Sequence, residues 1–184
     1  MNIFYFDYLP FQCAKDHCDR HVVKMIVEYA QLLSTCHRVL DGQEKTVKSN
    51  NRSKKVWILS DERNDNIYKA SHINHPSNKW VRQSASNYFW LLCLWLDLLN
   101  EYTMRYGKVH KTSNLEKYLL TFPKNIPFNL DFTPPFRAMP DEFKIDKIDL
   151  EYCQKSYHKY FNNTKQHIAK WKHNEIPRWY IQKG

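Results

Sequence analysis

Glycine is nearly absent, at 3 of 184 residues. That scarcity argues against a phosphate-cradling loop, a dinucleotide-binding fingerprint or a strand-rich sandwich, all of which spend glycine at tight turns. Acid is short as well, with 19 Asp and Glu against 28 Lys and Arg, for a formal charge of +9. No long uncharged apolar run occurs. The best, Tyr88 to Leu99, falls short of the ~20 residues a membrane span needs and ends in Asp97 and Glu101. The five cysteines form an odd set without the spacing of a disulfide framework, and no Cys-x-x-Cys pair is present. Asn2 to Phe11 is too short for a secretory segment, carries Asp7 and is broken by Pro10. These absences predict a soluble protein of a reducing, cytoplasmic compartment with no membrane contact.

What is abundant is charge of one sign and aromatic surface. Aromatic residues (6 Trp, 12 Tyr, 10 Phe) equal Lys and Arg in number at 28 each. Cations suit a polyanion and rings suit bases, so nucleic acid is the natural first partner. With 42% hydrophobic residues the chain is long enough for one packed domain over residues 1–184.

The patterning reads as mainly α, a compact domain of about four helices. Asn2 to Tyr8 reads as a short extended arm. A first long helix runs from Phe11 or Asp16 to Leu40 and stops at Asp41-Gly42. Residues 45–70 read as a basic loop, because Lys45 to Lys55 hold five basic residues and no acid, with Ser49, Asn50, Asn51 and Ser53 between them. A second long helix opens at His75-Pro76 and runs to Tyr106, where Gly107 caps it. Ser113 to Glu116 forms a capping box for a short helix. Residues 122–145 are a proline-rich irregular segment, and Asp149 caps a last helix reaching about Trp171.

The first helix carries two faces. Val22, Ile26, Tyr29, Leu33, Cys36 and Leu40 form a core stripe at helical spacing. His17, His21, Lys24, Glu28, Gln31 and Thr35 form a polar column at steps of four and three. Two imidazoles, an amine and a carboxylate in line are the groups that acid–base or Schiff-base chemistry needs. The same column also reads as a partly exposed face with a Lys24–Glu28 pair.

Cys13, His17, Cys18 and His21 invite a zinc reading. Cys18 points about 100° away from His17 on a helix, however, and a second ligand pair is missing. No metal or cofactor is expected. His72 to Arg82 gathers His75, Lys79, Trp80 and Arg82 at a helix entrance, where phosphate is favoured; Trp80 taken alone suits the core. Arg105 and Lys108 lie in a basic cluster that either binds phosphate or complements the helix dipole. Lys54 and Lys55 in the loop and Arg178 in the basic tail complete the candidate nucleic-acid contacts. The carboxylates of Ala138-Met139-Pro140-Asp141-Glu142 are further candidates for a site.

Three short motifs are spread over most of the chain: Asp19-x-His21 with Glu28 seven residues on, Glu101…Arg105-x-Gly107, and Ile168-Ala169…Pro177-x-Trp179-Tyr180. In that order they resemble the pyrimidine-dimer DNA glycosylases of the phage endonuclease V type. The chain looks more closely like uncharacterised phage proteins sharing His-Val-Val-Lys-Met, His-Pro-Ser-x-Lys-Trp and Ala-Met-Pro-Asp-Glu, a likeness that carries no activity with it. The first resemblance implies an amine that attacks C1′ of a damaged nucleotide, with Glu28 supporting that step. It departs from the family where arginines are replaced by Ile3, Val27 and Gln31, and where Asn2 stands in place of a processed N-terminal threonine. The candidate amines are then Met1 and Lys24, the latter if buried against Val23 and Val27.

The reading is a DNA glycosylase, with or without AP-lyase activity, acting on a damaged or modified pyrimidine in double-stranded DNA. If phage-encoded, it would work in the host cytoplasm. Glu28 is the acid–base residue, Lys24 or the Met1 amine the nucleophile unless Glu28 orients a water, and His21 a positioning or proton-transfer group. The alternatives are a non-catalytic nucleic-acid-binding protein, an enzyme of free nucleotides, and a protein that docks an acidic partner.

Overall fold

A computed structural model describes residues 1–49 and 52–182. Among them the chain forms seven α-helices: α1 (Pro10–Asp16), α2 (Asp19–Asp41), α3 (Arg63–Asn66), α4 (Pro76–Val81), α5 (Ala85–Tyr106), α6 (Glu116–Leu119) and α7 (Leu150–Thr164). Between α2 and α3 lies an antiparallel hairpin of β1 (Gln43–Ser49) and β2 (Arg52–Ile58). The architecture is therefore mixed α and β, which corrects the expectation of a mainly α domain of about four helices.

Each difference has a local cause. The predicted basic loop pairs as a hairpin because Thr46-Val47 and Val56-Trp57-Ile58 are β-branched and aromatic residues that favour extended backbone. Trp57 is buried and anchors the ribbon at its root. Asn50 and Asn51, in the middle of that predicted loop, lie outside the described residues. The first long helix is interrupted at His17-Cys18, both extended. Arg105 fills the gap, donating to the freed carbonyls of Lys15 (3.0 Å) and His17 (2.8 Å). The second is broken after Val81, and Ser84 restarts it by accepting from the Asn87 N–H at 3.1 Å. Gly107 ends α5 at φ 62°, the left-handed cap its position predicts. Asp149 caps α7 through the Tyr152 N–H at 2.9 Å, but α7 stops at Thr164, short of Trp171.

The core forms where α2 packs on α5. Val22, Ile26, Tyr29, Leu33 and Cys36 are all at most 1% exposed, as the stripe requires. Each buried aliphatic or aromatic side chain contributes about 1.5–3 kcal/mol. Trp95, fully buried on α5, donates its indole N–H to the Ile26 carbonyl at 3.1 Å. Through this layer runs the N-terminal arm, with Ile3, Phe4, Tyr5 and Phe6 all buried yet paired with no strand among the described residues. The proline-rich segment hugs α4 and α5: Trp80 donates to the Thr133 carbonyl and Thr133 N–H to Asn87 Oδ1.

Arg38 roots the hairpin. Its side chain is fully buried and donates to the carbonyls of Trp57, Asn64, Ile67 and Tyr68, with no carboxylate partner among the described residues. A planar guanidinium can fork to four carbonyls, whereas an ammonium has three donors. Arg38→Lys should therefore lower the unfolding free energy by about 2–4 kcal/mol, since carbonyls are left buried without donors. Urea denaturation measures it, and an unchanged midpoint would show that the fork is dispensable.

Candidate active site

The arm is fastened to α2 by a chain of polar contacts whose directions are set by donor chemistry. His17 Nδ1–H donates to the Cys13 carbonyl at 2.7 Å, so Nε2 is the acceptor for the Tyr29 hydroxyl at 3.1 Å. That hydroxyl accepts the Phe4 N–H at 3.1 Å, while the Cys13 thiol donates to the Phe4 carbonyl. Phe4 is thus pinned beside Tyr29, and the start of the chain is brought to Glu28, the residue before it.

The Asn2 N–H donates to Glu28 Oε2 at 3.4 Å, and Lys24 Nζ lies 3.2 Å from Oε1. The Asn2 side chain donates to the Ala138 carbonyl and accepts from the Tyr157 hydroxyl at 2.7 Å. From the other side, Asn78 on α4 donates to the carbonyls of Ser71 and His72 and approaches Met1 Sδ at 3.8 Å. His75 caps α4 by accepting the Ser77 N–H through Nδ1, which leaves Nε2 as the protonated, donating nitrogen of the neutral ring. Burial chiefly pushes its pKa down, helped by the Met1 amine and His72, while Glu28 opposes. His72 holds a left-handed φ of 48°, a backbone costing about 1–2 kcal/mol in a residue with a side chain.

Met1, Lys24, Glu28 and His75 therefore share one neighbourhood, assembled from the arm, α2 and the entrance to α4. It holds a carboxylate that can accept or return a proton, two amines and a neutral imidazole donor. Asn2, the Ala138 carbonyl and Tyr157 complete it. No local signal in the sequence assigned them to it, because their partners lie 26 to 155 residues away.

Other predicted residues stand elsewhere. His21 is 5% exposed beneath Phe4 and Phe161, its Nδ1 without a partner among the described residues, and burial holds it uncharged. His17 lies outside α2, so the six-residue column is not continuous. Lys24 is not buried against Val23 and Val27, since its side chain is 69% exposed. Arg105 is no phosphate contact: it is buried, ion-paired with Glu101 and Asp19 and bonded to backbone. Arg82 is half-buried and donates to the Ile73 carbonyl. Trp80 belongs to the core. Asp141 turns outward to Lys144 rather than into the site.

Lys79 remains exposed, on the wall of a groove of about 590 Å³ shared with Phe136, Arg137 and Lys144. Lys54 and Lys55 on β2, Lys108 after α5 and Arg178 beyond α7 are exposed cations. Among the described residues no three His, Cys, Asp or Glu side chains are grouped to hold a metal ion. No helix among them is long and apolar enough to cross a membrane. Compared with protein-family models, curated proteins and solved structures, the chain matches none.

Two buried histidines make the fold acid-sensitive. Burial lowers His17 and His37 from 6.5 to about 4. His37 must stay neutral to accept the Arg63 N–H at 2.8 Å while donating to the Tyr88 hydroxyl. Between those pH values the unfolded chain binds more protons than the folded one, so stability rises with pH. It should fall as pH drops from 6.5 through 4, by up to about 3 kcal/mol for each histidine. Denaturant titrations at pH 7, 5.5 and 4.5 measure this, with imidazole chemical shifts identifying the groups. A flat profile would contradict it.

Proposed function

We propose that the chain is a DNA glycosylase of the phage endonuclease V type, acting on a damaged or modified pyrimidine and competent for AP-lyase chemistry. The observation that carries this reading is the double contact of Glu28, with Lys24 Nζ at 3.2 Å on one oxygen and the Asn2 N–H at 3.4 Å on the other. An acid–base group beside an amine is the minimum that a Schiff-base glycosylase needs, and the Asn2 amide, one peptide unit from the Met1 amine, holds the other carboxylate oxygen. The motif resemblance around Glu28 and the charge of +9 support the same reading.

In this reading Glu28 accepts a proton from the attacking ammonium, and the freed amine bonds to C1′ as the glycosylic bond breaks; the base leaves as an anion and takes up a second proton from the nitrogen. The Glu28 carboxyl then protonates the sugar ring oxygen, which opens the ring and leaves a protonated imine at C1′. The regenerated Glu28 carboxylate removes a C2′ proton, and the 3′ phosphate leaves by β-elimination. Base extrusion from the duplex costs a few kcal/mol, offset by contacts to the backbone.

A second reading, a nucleic-acid binder without catalysis, draws on the exposure of Lys24, which lets the pair serve as an ordinary i,i+4 contact.

Borohydride trapping on duplexes carrying an abasic site, a thymine dimer or a modified pyrimidine separates the two. A covalent adduct is expected, lost in either Lys24→Ala or an N-terminally blocked form. Glu28→Gln should slow base release by about 10²–10⁴-fold with duplex affinity unchanged. No adduct and no base release on any duplex would sink the glycosylase reading.

A further inference from the structure

The hairpin of β1 and β2 stands apart from the body. Trp57 is its one buried side chain among the described residues, and Arg38 holds only the root. Gln43 to Lys48 and Ser53 to Lys55 are exposed. A two-stranded ribbon in water is marginal, so a hairpin of this length is kept for something other than core formation.

Its two faces differ. The register pairs Glu44 with Trp57, Thr46 with Lys55 and Lys48 with Ser53, so these side chains share the face that Trp57 turns to the body. There Lys55 is neutralised by Glu44 at 2.7 Å. The opposite face carries Lys45 opposite Val56 and Val47 opposite Lys54. Among the described residues neither Lys45 nor Lys54 has an acidic partner, and Val47 and Ile58 are 41% and 37% exposed beside them. Diagonal lysines on one face repel unless a polyanion lies against them.

Geometry selects the polyanion. Strands of seven residues give a ribbon roughly 23 Å long, and a two-stranded ribbon fits the ~12 Å width of the DNA major groove. Unpaired strands are gripped by exposed aromatic platforms, and the only aromatic of the ribbon, Trp57, is buried. We propose that the outward face of this ribbon, with Lys45, Val47 and Lys54, is a duplex-DNA contact separate from the Glu28 site. It rests on the nucleic-acid part of the function proposed above and needs none of its chemistry.

The test is fluorescence anisotropy of the full chain on an undamaged 20-base-pair duplex and on its single strand, over a salt series. Lys45→Ser with Lys54→Ser should weaken duplex binding about tenfold. It should also flatten the log–log salt slope by up to about 1.8, near 0.9 per lost phosphate contact. Lys48→Ser with Lys55→Ser removes the same charge from the other face and should change both much less. Equal losses from the two faces, an unchanged slope in the first variant, or a preference of the unaltered chain for the single strand would overturn the ribbon contact. The first variant should still form the borohydride adduct on an abasic duplex. If the adduct never forms in any protein but the face difference persists, the glycosylase reading fails and the ribbon stands.

Discussion

An extended segment buried with no strand beside it constrains the rest of this molecule. Ile3 to Phe6 runs through the core, where every unpaired N–H or carbonyl carries a desolvation cost of about 1–3 kcal/mol. For Phe4 and Phe6 side chains supply the partners that a sheet would have supplied. Tyr29 and the Cys13 thiol serve Phe4, the same sulfur accepts the Phe6 N–H, and Gln154 and His158 both donate to the Phe6 carbonyl. Those donors come from α1, α2 and α7, so the arm is what ties these three helices together. The demand also explains the neutral His17: only an uncharged ring can donate to Cys13 and accept from Tyr29 at once.

Basic residues fall into two populations for the same reason. Arg38, Arg63 and Arg105 act inside the fold, where a planar fork satisfies carbonyls and carboxylates at places the helices leave open. Lysines stay outside, on the ribbon, on α4 and after α5. A net charge of +9 therefore overstates the uniformity of the cations and understates how far the exposed ones are separated. At these three places arginine is a structural residue, and the exposed cations are mostly lysine.

The neighbourhood of Glu28 shows how little of a site needs to be contiguous. Its carboxylate and Lys24 come from one helix turn, which periodicity reveals. Asn2, His75 and the Ala138 carbonyl come from segments that no local pattern relates to it, and the left-handed backbone at His72 is the sort of strain that accompanies a working surface.

Periodicity and composition determined the core stripe of α2, the apolar character of α5, the caps at Gly107 and Asp149, and the irregular proline-rich segment, because each depends on residues within a turn or two of one another. The hairpin was hidden because five basic residues spoke for a loop more loudly than short β-branched alternation spoke for strands. The helix breaks at His17-Cys18 and after Val81 carry no glycine; the first is stabilised by Arg105, nearly ninety positions away. Only tertiary packing decided that His21 is buried, that Arg105 is internal and that Asn2 meets Glu28. Burial and long-range hydrogen bonding are properties of the assembled neighbours, and a one-dimensional pattern reports only what lies next to a residue along the chain.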